Sequence, residues 1–333
     1  MTGVPPYRAP LWLPGGHAQT IYAAMLAPRP KIVYRRTEWP TPDGDFIELD
    51  WVDGPQDAPL VILFHGLEGS SRSHYAMGLM HCAHAQRWRG VVPHFRGCGG
   101  RPNQLARAYH SGDYRELDWI LERIAEHNAG SARFVMGVSL GGNALLKWLA
   151  ARGASAASAV RAAVAVSAPM DLMVAGHGLG RGINRLYTWH FLSTLKPKSL
   201  HKAQRFPELY DVAKVARARN LYQFDNVVTA PLHGFEDADD YWTRASSKGD
   251  LHRIEVPTLL LHARNDPFLP GRHLPQMRDV SPSVSLEYPA GGGHAAFVTG
   301  SFPGRLDWLP RRALAFFQSH LGGGSENSSP KVP

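Results

Sequence analysis

Two cysteines in 333 residues, Cys82 and Cys98, are too few to staple a fold, so this chain is not a disulfide framework. They read as buried thiols in a reducing compartment. No stretch approaches the roughly 18 consecutive apolar residues that a membrane-crossing helix needs. The opening residues, MTGVPPYRAPLWLPGG, have no continuous apolar core and place three prolines in the first ten positions, unlike a secretory signal. These absences give the expectation of a soluble, cytoplasmic protein. No repeat of fixed period is visible. There is no H-E-x-x-H and no Cys/His cluster with zinc-ligand spacing, so neither a metal nor a cofactor is expected. The last residues, GGGSENSSPKVP, hold almost nothing to bury, and 322–333 read as a disordered tail.

Acidic residues are also in deficit, 28 against 36 Lys and Arg, for a net charge of +8. The excess is concentrated. Residues 181–219 carry nine basic residues against only Glu208 and Asp211. A solvated helical face explains such a segment, and so does a surface that meets anionic lipid, as a weak peripheral membrane contact. No nucleic-acid-binding motif accompanies the charge, so nucleic acid is not an expected partner. With 44% apolar and 19% charged residues, the chain can bury a sizeable core.

Short apolar runs alternate with helical patterns. LVILF (60–64) is uninterrupted, as a strand covered on both faces should be. GVVPHF (90–95), RFVMGVS (133–139), AAVAVSA (162–168) and TLLLHA (258–263) repeat the theme. DYRELDWILERIAEH (113–127) puts Leu117, Ile120, Leu121 and Ile124 on one helical face, and GGNALLKWLAARG (141–153) ends on a glycine suited to a helix C-terminus. This alternation predicts a mostly parallel sheet with right-handed crossovers, flanked by helices. KIVYRRTEW and DFIELDWV, joined by PTPDG, predict an antiparallel hairpin at its start. The aromatic, basic, helical stretch 170–250 breaks the rhythm and reads as a cap inserted between core segments 1–169 and 251–321.

GVSLG (137–141) follows a strand and runs straight into a helix, the context that G-x-S-x-G requires. Its turn is too sharp for side chains beside Ser139, which makes Ser139 the candidate nucleophile. A serine needs a base to take its proton, and the order Ser, acid, His places both partners later in the chain. Asp266 follows the strand TLLLHA; His294 follows SVSLEY (283–288), in PAGGGHAAF. Each stands just past the C-terminal end of a strand, as Ser139 does. Asp171, in SAPMDL after the preceding strand, competes for the acid; Asp266 is preferred because it lies on the later strand end. The loop HGLEGSS curls so that the N–H of Leu67 can face an oxyanion beside that of Leu140. His65 reads as a structural hydrogen-bonder.

With these motifs in place the chain resembles the α/β-hydrolases, and within them the YheT-like branch related to the ABHD lipid hydrolases and to yeast medium-chain ethyl-ester synthases. The resemblance rests on LWLPGGHAQTIYA, HGLEGSSRSHYAMGL, FRGCGG, GVSLGGNALLKWL, TAPLHGFEDADDYW, HARNDPFLP and GGGHAAF. It implies an α/β-hydrolase fold and a catalytic triad at Ser139, Asp266 and His294. The expected function is a serine carboxylic-ester hydrolase for short- to medium-chain acyl esters, its substrate a small ester or lipid. Acyl transfer to an alcohol would use the same residues, and a silent ligand-binding protein on the same fold is the reading from another class.

Overall fold

The structure, a computed structural model, describes residues 3–322. Apart from Gly322, the expected tail lies outside them. The LVILF run forms β3 (Leu60–Phe64), every residue of which is buried. It sits inside an eight-stranded sheet with β1 (Arg35–Pro40), β2 (Phe46–Val52), β4 (Arg89–Pro93), β5 (Arg133–Val138), β6 (Ala162–Val166), β7 (Thr258–Leu261) and β8 (Val284–Glu287). The order is β1-β2-β4-β3-β5-β6-β7-β8. β2 runs antiparallel to both β1 and β4, and all other pairs are parallel. The expected opening hairpin is therefore present, closed at Thr41–Gly44.

Helices cover both faces because the strands are apolar on both. On one side α3 (Tyr114–His127) and α4 (Leu140–Arg152) pack onto the sheet, with Leu117, Ile120, Leu121 and Ile124 buried as their spacing predicts. On the other, α2 (His74–Ala85) and α11 (Trp308–Gln318) bury Leu79, Met80, Leu314 and Phe317. Each such side chain contributes about 1.5–3 kcal/mol by leaving water. α1 (Gly16–Met25) precedes the sheet.

Between β6 and β7 the chain forms α5 (Leu172–Leu179), α6 (Arg185–Arg205), α7 (Val212–Arg217), α8 (Leu221–Phe224), α9 (Ala230–Leu232) and α10 (Ala238–Ala245). These helices have small cores of their own, one around Trp242 and Tyr241 and another around Leu192, Val215 and Phe224. Their basic charge is not simply a solvated face. Lys196 Nζ donates to the Ala218 carbonyl (3.0 Å) and Lys198 pairs with Glu68 (2.8 Å). Lys202 Nζ donates to Asn103 Oδ1 and the Ala106 and Arg107 carbonyls at 2.8–3.0 Å. The excess is partly spent in fastening α6 down. Arg181, Arg185, Arg205, Lys214, Arg217 and Arg219 remain exposed, as does part of Lys198.

Candidate active site

β5 delivers the chain to Ser139, and α4 starts at the next residue with no loop between. To make that reversal Ser139 adopts φ 55° and ψ −122°, a conformation that costs a non-glycine residue roughly 1–3 kcal/mol. The turn is fastened by the Ser139 N–H to the Val166 carbonyl (2.9 Å) and by the Asn143 N–H to the Ser139 carbonyl (3.0 Å). A Cβ on Gly137 would stand 2.5 Å from the Gly141 carbonyl oxygen. One on Gly141 would stand 2.5 Å from those of Phe64 and His65. Backbone occupies the space on both sides, which is why the motif needs glycine there. The start of α4 then lies directly behind the Ser139 hydroxyl and favours negative charge developing there.

Asp266 and His294 meet as their strand order anticipates. His294 Nδ1 donates to Asp266 Oδ2 at 2.9 Å and lies 3.2 Å from Oδ1. The carboxylate is fully buried and also accepts the Phe268 N–H at 2.8 Å. Burial alone would raise the Asp266 carboxyl; the His294 and His262 imidazoles and the Phe268 N–H outweigh it and hold it below the ordinary carboxylate range. Burial lowers His262, whose Nε2 donates to the Leu269 carbonyl (3.0 Å). Among the described residues no hydrogen bond within 3.5 Å yet joins Ser139 to His294. Hydrogen bonds between catalytic groups often tighten only around substrate.

The competing acid sits elsewhere. Asp171 caps α5 by accepting the Val174 N–H (3.1 Å) and lies 3.7 Å from Lys248. His65 is the structural hydrogen-bonder expected: Nδ1 donates to the Gly66 carbonyl (2.8 Å), Nε2 accepts the Phe95 N–H (3.1 Å), and burial lowers its pKa to about 3. In the same loop the N–H groups of Gly66 and Glu68 are taken by Tyr75 and Tyr109. The Leu67 N–H between them has no acceptor among the described residues, nor does that of Leu140. Leu67, Ser139 and Leu140 line one cavity of about 490 Å³, which is also lined by apolar residues of the segment between β6 and β7, including Leu179, Phe191, Leu195, Phe224 and Val228.

Sequence reasoning missed what holds the histidine loop. The His294 N–H donates to Thr20 Oγ1 (2.8 Å) and the Gly292 N–H to Gln19 Oε1 (2.8 Å), both on α1; the Gly293 N–H donates to Asn265 Oδ1 (2.9 Å). These partners lie inside GGHAQT and HARND, so the signal was an unexplained motif rather than a chemical pattern. Phe268, also missed, stacks on the His294 ring with centroids 4.0 Å apart and lines the cavity.

A family model described as the alpha/beta hydrolase fold matches residues 59–301. YheT of Escherichia coli (strain K12) is 35% identical over 310 residues, 92% of this chain and 91% of that protein. Phospholipase ABHD3 of Mus musculus is 28% identical over 97% of this chain and 80% of its own. The solved structure of the Pyrococcus furiosus esterase Pf2001 superposes with a TM-score of 0.55 at 17% identity, covering 90% of this chain and 99% of that one, a likeness of fold. The chain belongs to the α/β-hydrolase fold family, in the branch that contains YheT and ABHD3.

Proposed function

We propose that this chain is a serine carboxylic-ester hydrolase acting on short- to medium-chain acyl esters. The observation that carries the reading is the buried Asp266–His294 pair in the same molecule as a strained serine elbow, with two acceptor-free N–H groups and an apolar cavity beside that serine. An esterase or lipase activity also suits a relative named as a phospholipase.

Ser139 Oγ attacks the acyl carbonyl carbon and His294 Nε2 takes its proton. Asp266 keeps the proton of Nδ1 in place, so that the Nε2 lone pair faces the serine, and stabilises the imidazolium that forms. The N–H groups of Leu67 and Leu140 hold the carbonyl oxygen as it becomes negative. Collapse expels the alcohol, which leaves with the proton from His294. Water then attacks the acyl-enzyme, its proton goes to His294, and the acid departs as Ser139 regains a proton.

The cavity lining implies an acyl chain as the apolar part of the substrate. Turnover of p-nitrophenyl acetate, butyrate, octanoate and palmitate by the native chain and by Ser139→Ala tests the reading. We expect an optimum at butyrate or octanoate and no turnover by the variant. A variant as active as the native chain removes Ser139 from the mechanism. Exposed Arg181 and Arg185 beside exposed Ile183, Leu186 and Trp189 support a weak lipid contact at the start of α6. Flotation with anionic vesicles that is insensitive to salt would remove its electrostatic part.

A further inference from the structure

The cap touches the oxyanion loop at one charged point. Glu68, the residue after Leu67, has φ 54°, a left-handed backbone that must be held in place in a residue with a side chain. It is held by a single phenol at both ends. The Glu68 N–H donates to the Tyr109 oxygen (2.9 Å), and the Tyr109 O–H donates to Glu68 Oε1 (2.8 Å). Tyr109 cannot easily swing away, because its ring stacks on buried Phe95 with centroids 5.0 Å apart and planes 9° from parallel. The remaining carboxylate oxygen, Glu68 Oε2, meets Lys198 Nζ of α6 at 2.8 Å.

Lys198 and Lys202 are one turn apart on α6 but fasten it to different things. Lys202 binds the loop around residues 103–107. Lys198 binds the residue that fixes Leu67. It also follows Pro197, which has no N–H to donate to the preceding turn, so α6 lacks a backbone bond where this contact is made. Leu67, Glu68, Pro197 and Lys198 all line the cavity.

We propose that Lys198 and Glu68 are positioning residues that couple seating of the cap to the oxyanion donor: when α6 is down the pair forms and holds the Leu67 N–H toward Ser139, and when α6 lifts the donor is released. This rests on the serine-hydrolase reading above. The Lys198 side chain is 47% exposed but that of Glu68 only 8%, so removing one partner also costs stability. The effect of the pair on catalysis is through geometry, where small misplacements of a catalytic group are costly.

The test measures kcat, KM and Tm on p-nitrophenyl butyrate for the native chain, Lys198→Met, Glu68→Gln, the double variant and Lys198→Arg, with end-point fluorophosphonate labelling followed by intact mass. We expect each single substitution to lower kcat by about tenfold with KM little changed, and Lys198→Met, which leaves the buried Glu68 carboxylate without its partner, to lower Tm as well. The double variant should be no worse than either single, Lys198→Arg should recover most of the rate, and Ser139 should label to completion throughout. Unchanged kcat in both singles, independent multiplying effects, or a rise in KM alone would each overturn the coupling while leaving the hydrolase reading intact. A native chain that neither labels nor turns over ester would instead remove that reading, and the coupling with it.

Discussion

Replacing Asp266 by Asn changes one atom type and no volume, and the structure says what it should do. The Phe268 N–H needs an acceptor at Oδ1, so the new NH₂ group takes the place of Oδ2, 2.9 Å from His294 Nδ1. Two donors cannot face each other across that distance. His294 must therefore move its proton to Nε2, and the lone pair that would accept the Ser139 proton disappears. The opposite orientation sets the NH₂ against the Phe268 N–H in a fully buried site, at a cost of about 1–3 kcal/mol for the unpaired donor. Either way the imidazolium also loses its counter-charge. We expect kcat on p-nitrophenyl butyrate to fall by about 10³- to 10⁴-fold, or about 4–5.5 kcal/mol of barrier, with KM and Tm much less affected. Asp171→Asn is the matched control. It keeps the helix cap, because the amide oxygen can still accept the Val174 N–H, and gives up only the charge facing Lys248, so stability should change by less than about 1 kcal/mol and kcat by less than about threefold. If Asp266→Asn retains activity within tenfold, or if Asp171→Asn is the one that abolishes it, the assignment of the acid is wrong.

Other perturbations reach different parts of the account. Buried His65, His74 and His94 are lowered to about 3, 4 and 4, so below pH 6.5 the unfolded chain takes up protons that the folded one refuses. Their contribution to stability is whole above that pH and is lost as pH falls toward those lowered values. Urea unfolding should show a stability loss of several kcal/mol from pH 7.5 to pH 5, and equal midpoints would refute it. Gly141→Ala brings a methyl against two backbone carbonyls at 2.5 Å and should destabilise the chain by about 3 kcal/mol, read as a lower urea midpoint.

The parts of the site that were legible in the sequence are those where one residue type solves one geometric problem. LVILF matches β3 residue for residue, because a strand buried on both faces has no room for a polar break. Ser139 was legible because only glycine fits where Gly137 and Gly141 meet backbone. Strand order brought Asp266 and His294 to the same end of the sheet, where they pair, but did not decide between Asp266 and Asp171. Asp171 stayed in competition because a cap and a catalytic acid both place an aspartate just past a strand, and only the contacts with Val174 and His294 separate them. The basic stretch reads as surface and seven of its nine basic residues are exposed; what composition does not show is that Lys198 and Lys202 also reach Glu68 and the carbonyls of residues 106 and 107, about a hundred residues away or more. Thr20 and Gln19 were out of reach for the same cause: they act across more than 270 residues on a loop whose shape no local pattern encodes.

The most direct test of the central claim is fluorophosphonate labelling of the native chain and of Ser139→Ala, followed by peptide mapping of the modified residue. The account predicts one phosphonyl group per native chain, located on Ser139, and none on the variant. A native chain that stays unmodified, or that carries the group on another serine, would contradict it.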